Sequence, residues 1–303
     1  MTTARKLGKG LGDISHLFLS GAQDDGHPDI AEITAPDQNV AAPKAAAKTI
    51  CVLGDGSFHD AFLVINLSLA LARLGMRIAV VDMDEQLPCV KFFLGENGKK
   101  QSDGSEKIAQ EGPLGVRLIG LPRSLAVKVA ADNEPGRLAY AELEEIERAA
   151  DLLVLNAAHA TLPAFRQELS STVWEFLVRV APESAALAQA YRTIKTIFSE
   201  NPLTKIGVII SDIEHMYEIE PTYAAIAGAV KKYLDKELYK YGFLFRIQPA
   251  DAAANIASFY DADLSACVSN IAQIILLRLS LHSAESGQEK FFETVYARVR
   301  GAR

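Results

Sequence analysis

Cysteine is scarce. The 303-residue chain has three, Cys51, Cys89 and Cys267, far apart and without a CxxC pair or a neighbouring histidine cluster. That excludes a disulfide framework and a cysteine-built metal centre, and reads as buried thiols in a reducing compartment. Long apolar runs are missing too. None approaches the ~18 residues that a membrane-spanning helix needs, and Met1–Gly12 is polar and glycine-rich, without the apolar stretch of a secretory signal. The expected location is the cytoplasm. Excess positive charge is absent as well: the net charge is −7 and the pI near 5.5, so the surface as a whole makes no electrostatic case for specific nucleic-acid binding. What remains is 49% hydrophobic and 23% charged, which supports a sizeable core and excludes disorder throughout.

Four segments differ in composition. Residues 1–21 combine a basic, glycine-punctuated start with Leu11, Ile14, Leu17 and Phe18, an apolar face on a short helical turn that Asp13 can cap. This reads as a peptide that docks on a protein partner or folds back on its own domain. Residues 22–47 are rich in Asp, Pro and Ala and contain no aromatic residue, which reads as a flexible linker. Residues 48–281 alternate strand and helix patterns: 49–54, 77–84, 115–121, 151–158, 171–180, 205–211 and 242–247 read as strands. Helical periodicity lies at 60–74, 139–150, 185–200, 222–234 and 264–281. The expected fold is α/β, a doubly wound, mostly parallel sheet flanked by helices. Its crevice then gathers Gly54–Asp60, Asp82–Asp84, Asn156–Thr161 and Ser211–His215 at the carboxyl ends of the strands. His59, His159 and His215 fit no metal-ligand spacing, and no nucleophile elbow appears, so no catalytic residue and no metal is assigned. Trp174 and Phe176 read as core residues on a strand.

The strand–loop–helix order around Gly54–Ala61 is how a phosphate-binding loop is built, with backbone N–H groups and a helix N-terminus around the phosphate. The stretch VLGDGSFHDAFLVINLSLALARLGMRIAVVDMDEQLPCVKFFLG resembles the opening of the MinD/ParA family of deviant-Walker ATPases. Asn66, Leu67, Leu71, Ala72, Gly75, Asp82, Asp84, Leu94 and Gly95 carry the match. APESAALAQAYRTIK at Ala181–Lys195 and the segment ending at Asp251 are similar to the FlhG-like branch of that family. The resemblance implies a P-loop fold and a role in spatial regulation of flagellar, division, partition or secretion machinery.

Aligned on Asn66, the family's signature lysine falls on Asp55, its catalytic lysine on Asp60 and its Mg²⁺-binding threonine on Ala61. Its Walker-B-like aspartate falls on Asn156 and a later asparagine on Ser211. The resemblance thus implies a degenerate nucleotide loop, Gly54, Asp55, Gly56, Ser57, Asp60 and Ala61, with Asp82, Asp84 and Asn156 nearby. At ~4 Å and an effective dielectric near 20, one unit charge pair is worth roughly 4 kcal/mol, so replacing two cations by two anions repels a triphosphate. The expectation is a pseudo-ATPase acting as an adaptor, with no cofactor. The alternative is a nucleotide-dependent switch or slow ATPase with an atypical loop, using ATP and Mg²⁺. Either Asp60 or Asp55 stands in for the missing phosphate at the helix N-terminus, or the loop has drifted and its acids point into water. Asp82 and Asp84 read as structural or capping acids.

Residues 282–303 end in an amphipathic helix. Phe291, Phe292, Val295, Tyr296 and Val299 form an apolar stripe flanked by Arg298 and Arg300, the arrangement of a membrane-surface helix. The competing reading packs the same stripe on the domain. The resemblance favours the membrane, at the inner face of the cytoplasmic membrane, and also implies a homodimer.

Overall fold

A computed structural model describes residues 47–84, 89, 109–122, 126, 133–247, 262–281 and 289–301. The expected docking residues Leu11, Ile14, Leu17 and Phe18 lie outside them, and so does the expected linker 22–47 apart from Ala47, which is buried in the core. All described residues fall in one compact unit, Ala45–Arg303.

Eight described strands form one sheet in the order β3-β4-β2-β5-β1-β6-β7-β8. They are β1 (Lys48–Gly54), β2 (Ile78–Asp82), β3 (Ala109–Glu111), β4 (Arg117–Gly120), β5 (Leu152–Ala158), β6 (Glu175–Val180), β7 (Lys205–Ile213) and β8 (Tyr239–Phe245). Only β3 pairs antiparallel, with β4 at one edge; the other pairings are parallel. β1 lies between β5 and β6. Its near-continuous apolar run fits that place, since a parallel strand covered on both faces has no side to show to water.

Helices cover both faces. On one, α1 (Phe58–Arg73) and α6 (Ala262–Leu281) share a core with Val52, Val80, Val154 and Leu177. α1 is sandwiched between the sheet and α6, which is why Ala61–Leu69 is buried throughout. Its internal polar groups bond within the helix: Asn66 Nδ2 donates to the Phe62 carbonyl at 2.8 Å and Ser68 to that of Val64 at 2.7 Å. On the other face lie α2 (Glu134–Ala149), α3 (Leu162–Thr172), α4 (Ser184–Glu200), α5 (Ile219–Leu234) and α7 (Phe291–Gly301).

β3 and most of α3 have no counterpart in the sequence reading, and three further elements depart from it. The predicted strand 171–180 is the end of α3, a two-residue link holding Trp174, and then β6. Trp174 is buried beside β6, and its backbone N–H donates to the Thr49 carbonyl at 2.7 Å. β8 starts at Tyr239, three residues before the predicted Gly242.

The third difference is α7. Phe291, Phe292 and Val295 are 0%, 2% and 4% exposed and belong to the core against α2 and α3. The buried Glu147 accepts from the N–H groups of Phe291 at 2.7 Å and Phe292 at 3.2 Å, satisfying the helix N-terminus that burial would otherwise orphan. Tyr296 lies 4.3 Å from the Tyr140 ring, and Arg298 donates to Gln167. The stripe read as a membrane face is therefore taken up by the domain in this structure; Arg300 bonds Tyr296 Oη at 3.2 Å. The side chain of Val299 lies outside the described residues. Among the described residues no helix is long and apolar enough to cross a membrane.

Candidate functional site: a phosphate loop closed on itself

The chain departs from β1 to β2 on one side and returns by way of β5 to β6 on the other, so the sheet switches direction at β1. In such sheets the crevice for ligands opens at the carboxyl ends of the strands there. The loop Asp55–Ser57 sits at that place, followed directly by α1.

The N-terminal amides that would cradle a phosphate already have an acceptor. Asp60 Oδ2 accepts from Gly56 N at 2.7 Å and from Ser57 N at 3.2 Å. Asp60 is 1% exposed. Its carboxyl lies so close over the end of β1 that a Cβ on Gly54 would sit 1.8 Å from Oδ1. Gly56 holds φ at +81°, where a side chain would be strained and would crowd Ala158 and Asp84. Asp55 turns back on the loop, accepting from Ser57 N at 2.9 Å. Of the two readings of these acids, the structure places Asp60 inward and the exposed Asp55 at the rim.

A cation lies opposite. Arg179, near the end of β6, is 8% exposed. Its Nε contacts Asp60 Oδ1 at 2.5 Å, Nη2 contacts Asp55 Oδ1 at 2.6 Å and Nη1 contacts Asp212 Oδ2 at 2.7 Å. Ser57 Oγ and Ser211 Oγ each accept from it at 3.2 Å. Three carboxylates from two chain segments thus converge on one guanidinium, whose planar fork of donors suits such a task. Burial pushes the Asp60 carboxyl up to about 6, against the pull of Arg179 and with the push of Asp55. For Asp55 burial also raises, but Arg179 and the bonds from Ser57 outweigh it and hold the group well below the usual carboxylate range. Burial would lower Arg179, and the three carboxylates more than restore it. The guanidinium stays charged.

Arg179 was missed in the sequence, although a signal existed. It is a lone charge in the apolar run Phe176–Val180, at the crevice end of its strand, in a chain that had placed two acids in the loop.

The remaining residues have structural partners. Asp82 is fully buried, accepting from Asn156 Nδ2 at 2.9 Å and from Cys89 N at 2.8 Å. It ties β2 to β5 and anchors the chain that follows β2. Asn156 spends its amide on that bond. Ala61 is fully buried and offers no hydroxyl. His159 donates its backbone N–H to the Gly54 carbonyl at 2.8 Å, and its Nδ1 lies 3.0 Å from Thr193 Oγ1. Burial, with Arg179 adding and Asp55 opposing, holds its pKa down at about 4. Among the described residues no cluster of three His, Cys, Asp or Glu side chains has metal-binding geometry.

These residues do not fit Mg-ATP as they stand. The loop amides are committed to Asp60, the guanidinium is shared by three carboxylates, the loop holds no lysine, and Ala61 offers no hydroxyl while that of the N-cap Ser57 is engaged by Arg179.

No family model matches the chain. The Aquifex aeolicus cell division protein MinD in its MinC:MinD complex covers 80% of the chain with 99% of its own length, at 16% identity and TM-score 0.52. A putative plasmid partition protein from Borrelia burgdorferi, bound to AMPPNP, covers 77% with 99% of its own length, at 14% identity and TM-score 0.53. The chain shares the fold of these two proteins, a mostly parallel sheet flanked by helices. In sequence it is similar to the antiactivator FleN of Pseudomonas aeruginosa, 25% identical over 200 residues, 63% of this chain and 70% of FleN.

Proposed function

We propose that this chain is a pseudo-ATPase of the MinD/ParA/FlhG type, a cytoplasmic adaptor in spatial regulation or localisation that works without nucleotide. One observation carries the reading: the Asp60 carboxylate takes the hydrogen bonds of the phosphate loop, with Arg179 as its counter-ion. The loop keeps the geometry of a phosphate cradle and supplies the anion itself. The relatives support regulation through protein contact. FleN is named an antiactivator, and the MinD neighbour is assembled with MinC. The partner here is a protein engaged by the N-terminal peptide, and a homodimer formed without nucleotide fits the same scheme.

The test is calorimetric titration of the full chain with ATP and ADP in the presence of Mg²⁺. No heat up to millimolar nucleotide is expected. Micromolar binding would overturn the adaptor reading in favour of a nucleotide-dependent switch, the role for which the AMPPNP-bound partition protein is the structural precedent.

A further inference from the structure

The carboxylates on Arg179 belong to segments far apart in the chain. Asp55 and Asp60 lie in the β1–α1 loop and the first turn of α1, whereas Asp212 lies near the end of β7. Asp212 carries an independent mark: its φ is +58°, a left-handed conformation in a residue other than glycine. It sits where the pairing of β7 with β8 breaks register, between Ile210 and Ile213. Strain of this kind persists only where the surroundings over-determine it, and a bulge re-aims a side chain that a regular strand would point elsewhere. Here the bulge turns the Asp212 carboxylate onto Arg179 Nη1, with Ser211 Oγ donating to the same oxygen at 3.0 Å.

The chain beyond the bulge is tied to the same point. His59, in the first turn of α1, has Nδ1 3.9 Å from Asp212 Oδ1 and Nε2 3.1 Å from the carbonyl of Ile247, just past β8. Arg246 N donates to the Ile213 carbonyl at 2.9 Å, and Glu218 Oε2 accepts from the N–H groups of Glu214 and His215. Met216 and Tyr217, 58% and 74% exposed, stand on this short rim segment.

We infer that Arg179 is a built-in clamp that couples the phosphate loop to the β7 rim, so that residues 54–61 and 211–218 are ordered together and lose protection from exchange together. In a nucleotide-driven switch a ligand phosphate orders separate loops. In this chain a side chain of the sheet performs that ordering permanently, and the rim bearing Met216 and Tyr217 is held in one conformation without a ligand. The coupling goes beyond the adaptor reading and is independent of it: a positive Mg-ATP titration would overturn that reading without touching the clamp.

Hydrogen–deuterium exchange of the full chain, without nucleotide, tests it. Asp212→Asn keeps a residue tolerant of positive φ and removes the charge; Arg179→Lys keeps the charge and loses the fork. In both variants exchange is expected to rise about tenfold or more in 54–61 and in 211–218 together, with α2 and α7 unchanged. A rise confined to one segment, or to neither, overturns the coupling. Should Arg179→Lys fail to fold, Asp212→Asn alone decides the question, because its carboxylate is at the rim of the cluster and 16% exposed.

Discussion

The Asp60 carboxyl lies where a side chain on Gly54 would have to be: a Cβ there would come within 1.8 Å of Oδ1. The two residues are therefore mutually exclusive in size. Gly54→Ala is expected to drive Asp60 off the Gly56 and Ser57 amides and to cost about 1–3 kcal/mol, the usual range for forced overpacking. Urea denaturation of the variant measures it. A cost below ~0.5 kcal/mol would mean that Asp60 does not occupy that position.

Arg179 faces three carboxylates with one charge, so its removal leaves like charges together at a buried point. Breaking a buried pair by deleting one partner costs roughly 3–5 kcal/mol. Arg179→Met is expected to fall in that range, and Arg179→Met combined with Asp60→Asn to recover part of it, since the second change lifts the main repulsion. Chemical denaturation of both variants gives the comparison. If the double variant is no more stable than the single, Asp60 is not the principal partner of Arg179.

Much of this site was legible in the residues because chain order and spacing are local properties. The strand ending at Gly54 and the helix after it follow from reading along the sequence; the resemblance put aspartates at the lysine positions, and a stand-in carboxylate at the α1 N-terminus and a drifted loop both stayed open. Between Asp55 and Asp60 the sequence could not choose, because the choice depends on Gly54 leaving room for the inner one. The Arg179 clamp was hidden for a related reason: its partners lie 119, 124 and 33 residues away. Only the parallel pairing of β1 with β6 and of β6 with β7 brings them to one place. In α7 the stripe of apolar residues was correctly seen, but periodicity says that a face is buried and not by what.

His159 supplies a pH signature with a definite sign. Its folded pKa is near 4 against an ordinary 6.5, so between those values the unfolded chain takes up a proton that the folded protein refuses. Stability from this residue is complete above about pH 6.5 and is lost as pH falls towards 4. Asp60 works the other way, because a carboxyl raised to about 6 penalises the folded state as pH rises through that value. The two oppose each other between pH 4 and 6, and the wild type alone cannot separate them. His159→Gln can. Urea midpoints at pH 7.5 and 5.0 should show the wild type losing stability relative to the variant on acidification. Equal pH dependence in the two proteins would remove His159 from the account.

The C-terminal helix offers a direct contest between core and membrane. Phe292 is 2% exposed, and the amides of Phe291 and Phe292 rest on the carboxylate of Glu147. Truncating a buried phenylalanine costs about 3–5 kcal/mol, so Phe292→Ala is expected to lower the unfolding free energy by that much. The Glu147→Ala change removes the acceptor for two buried amides, each worth ~1–3 kcal/mol when left unsatisfied. A free amphipathic tail would respond differently: Phe292→Ala would leave stability within ~0.5 kcal/mol and would abolish sedimentation with anionic phospholipid vesicles. The packed helix predicts a large loss of stability and no sedimentation of the wild-type chain with the same vesicles. A stable Phe292→Ala protein beside a vesicle-bound wild type would return α7 to the membrane.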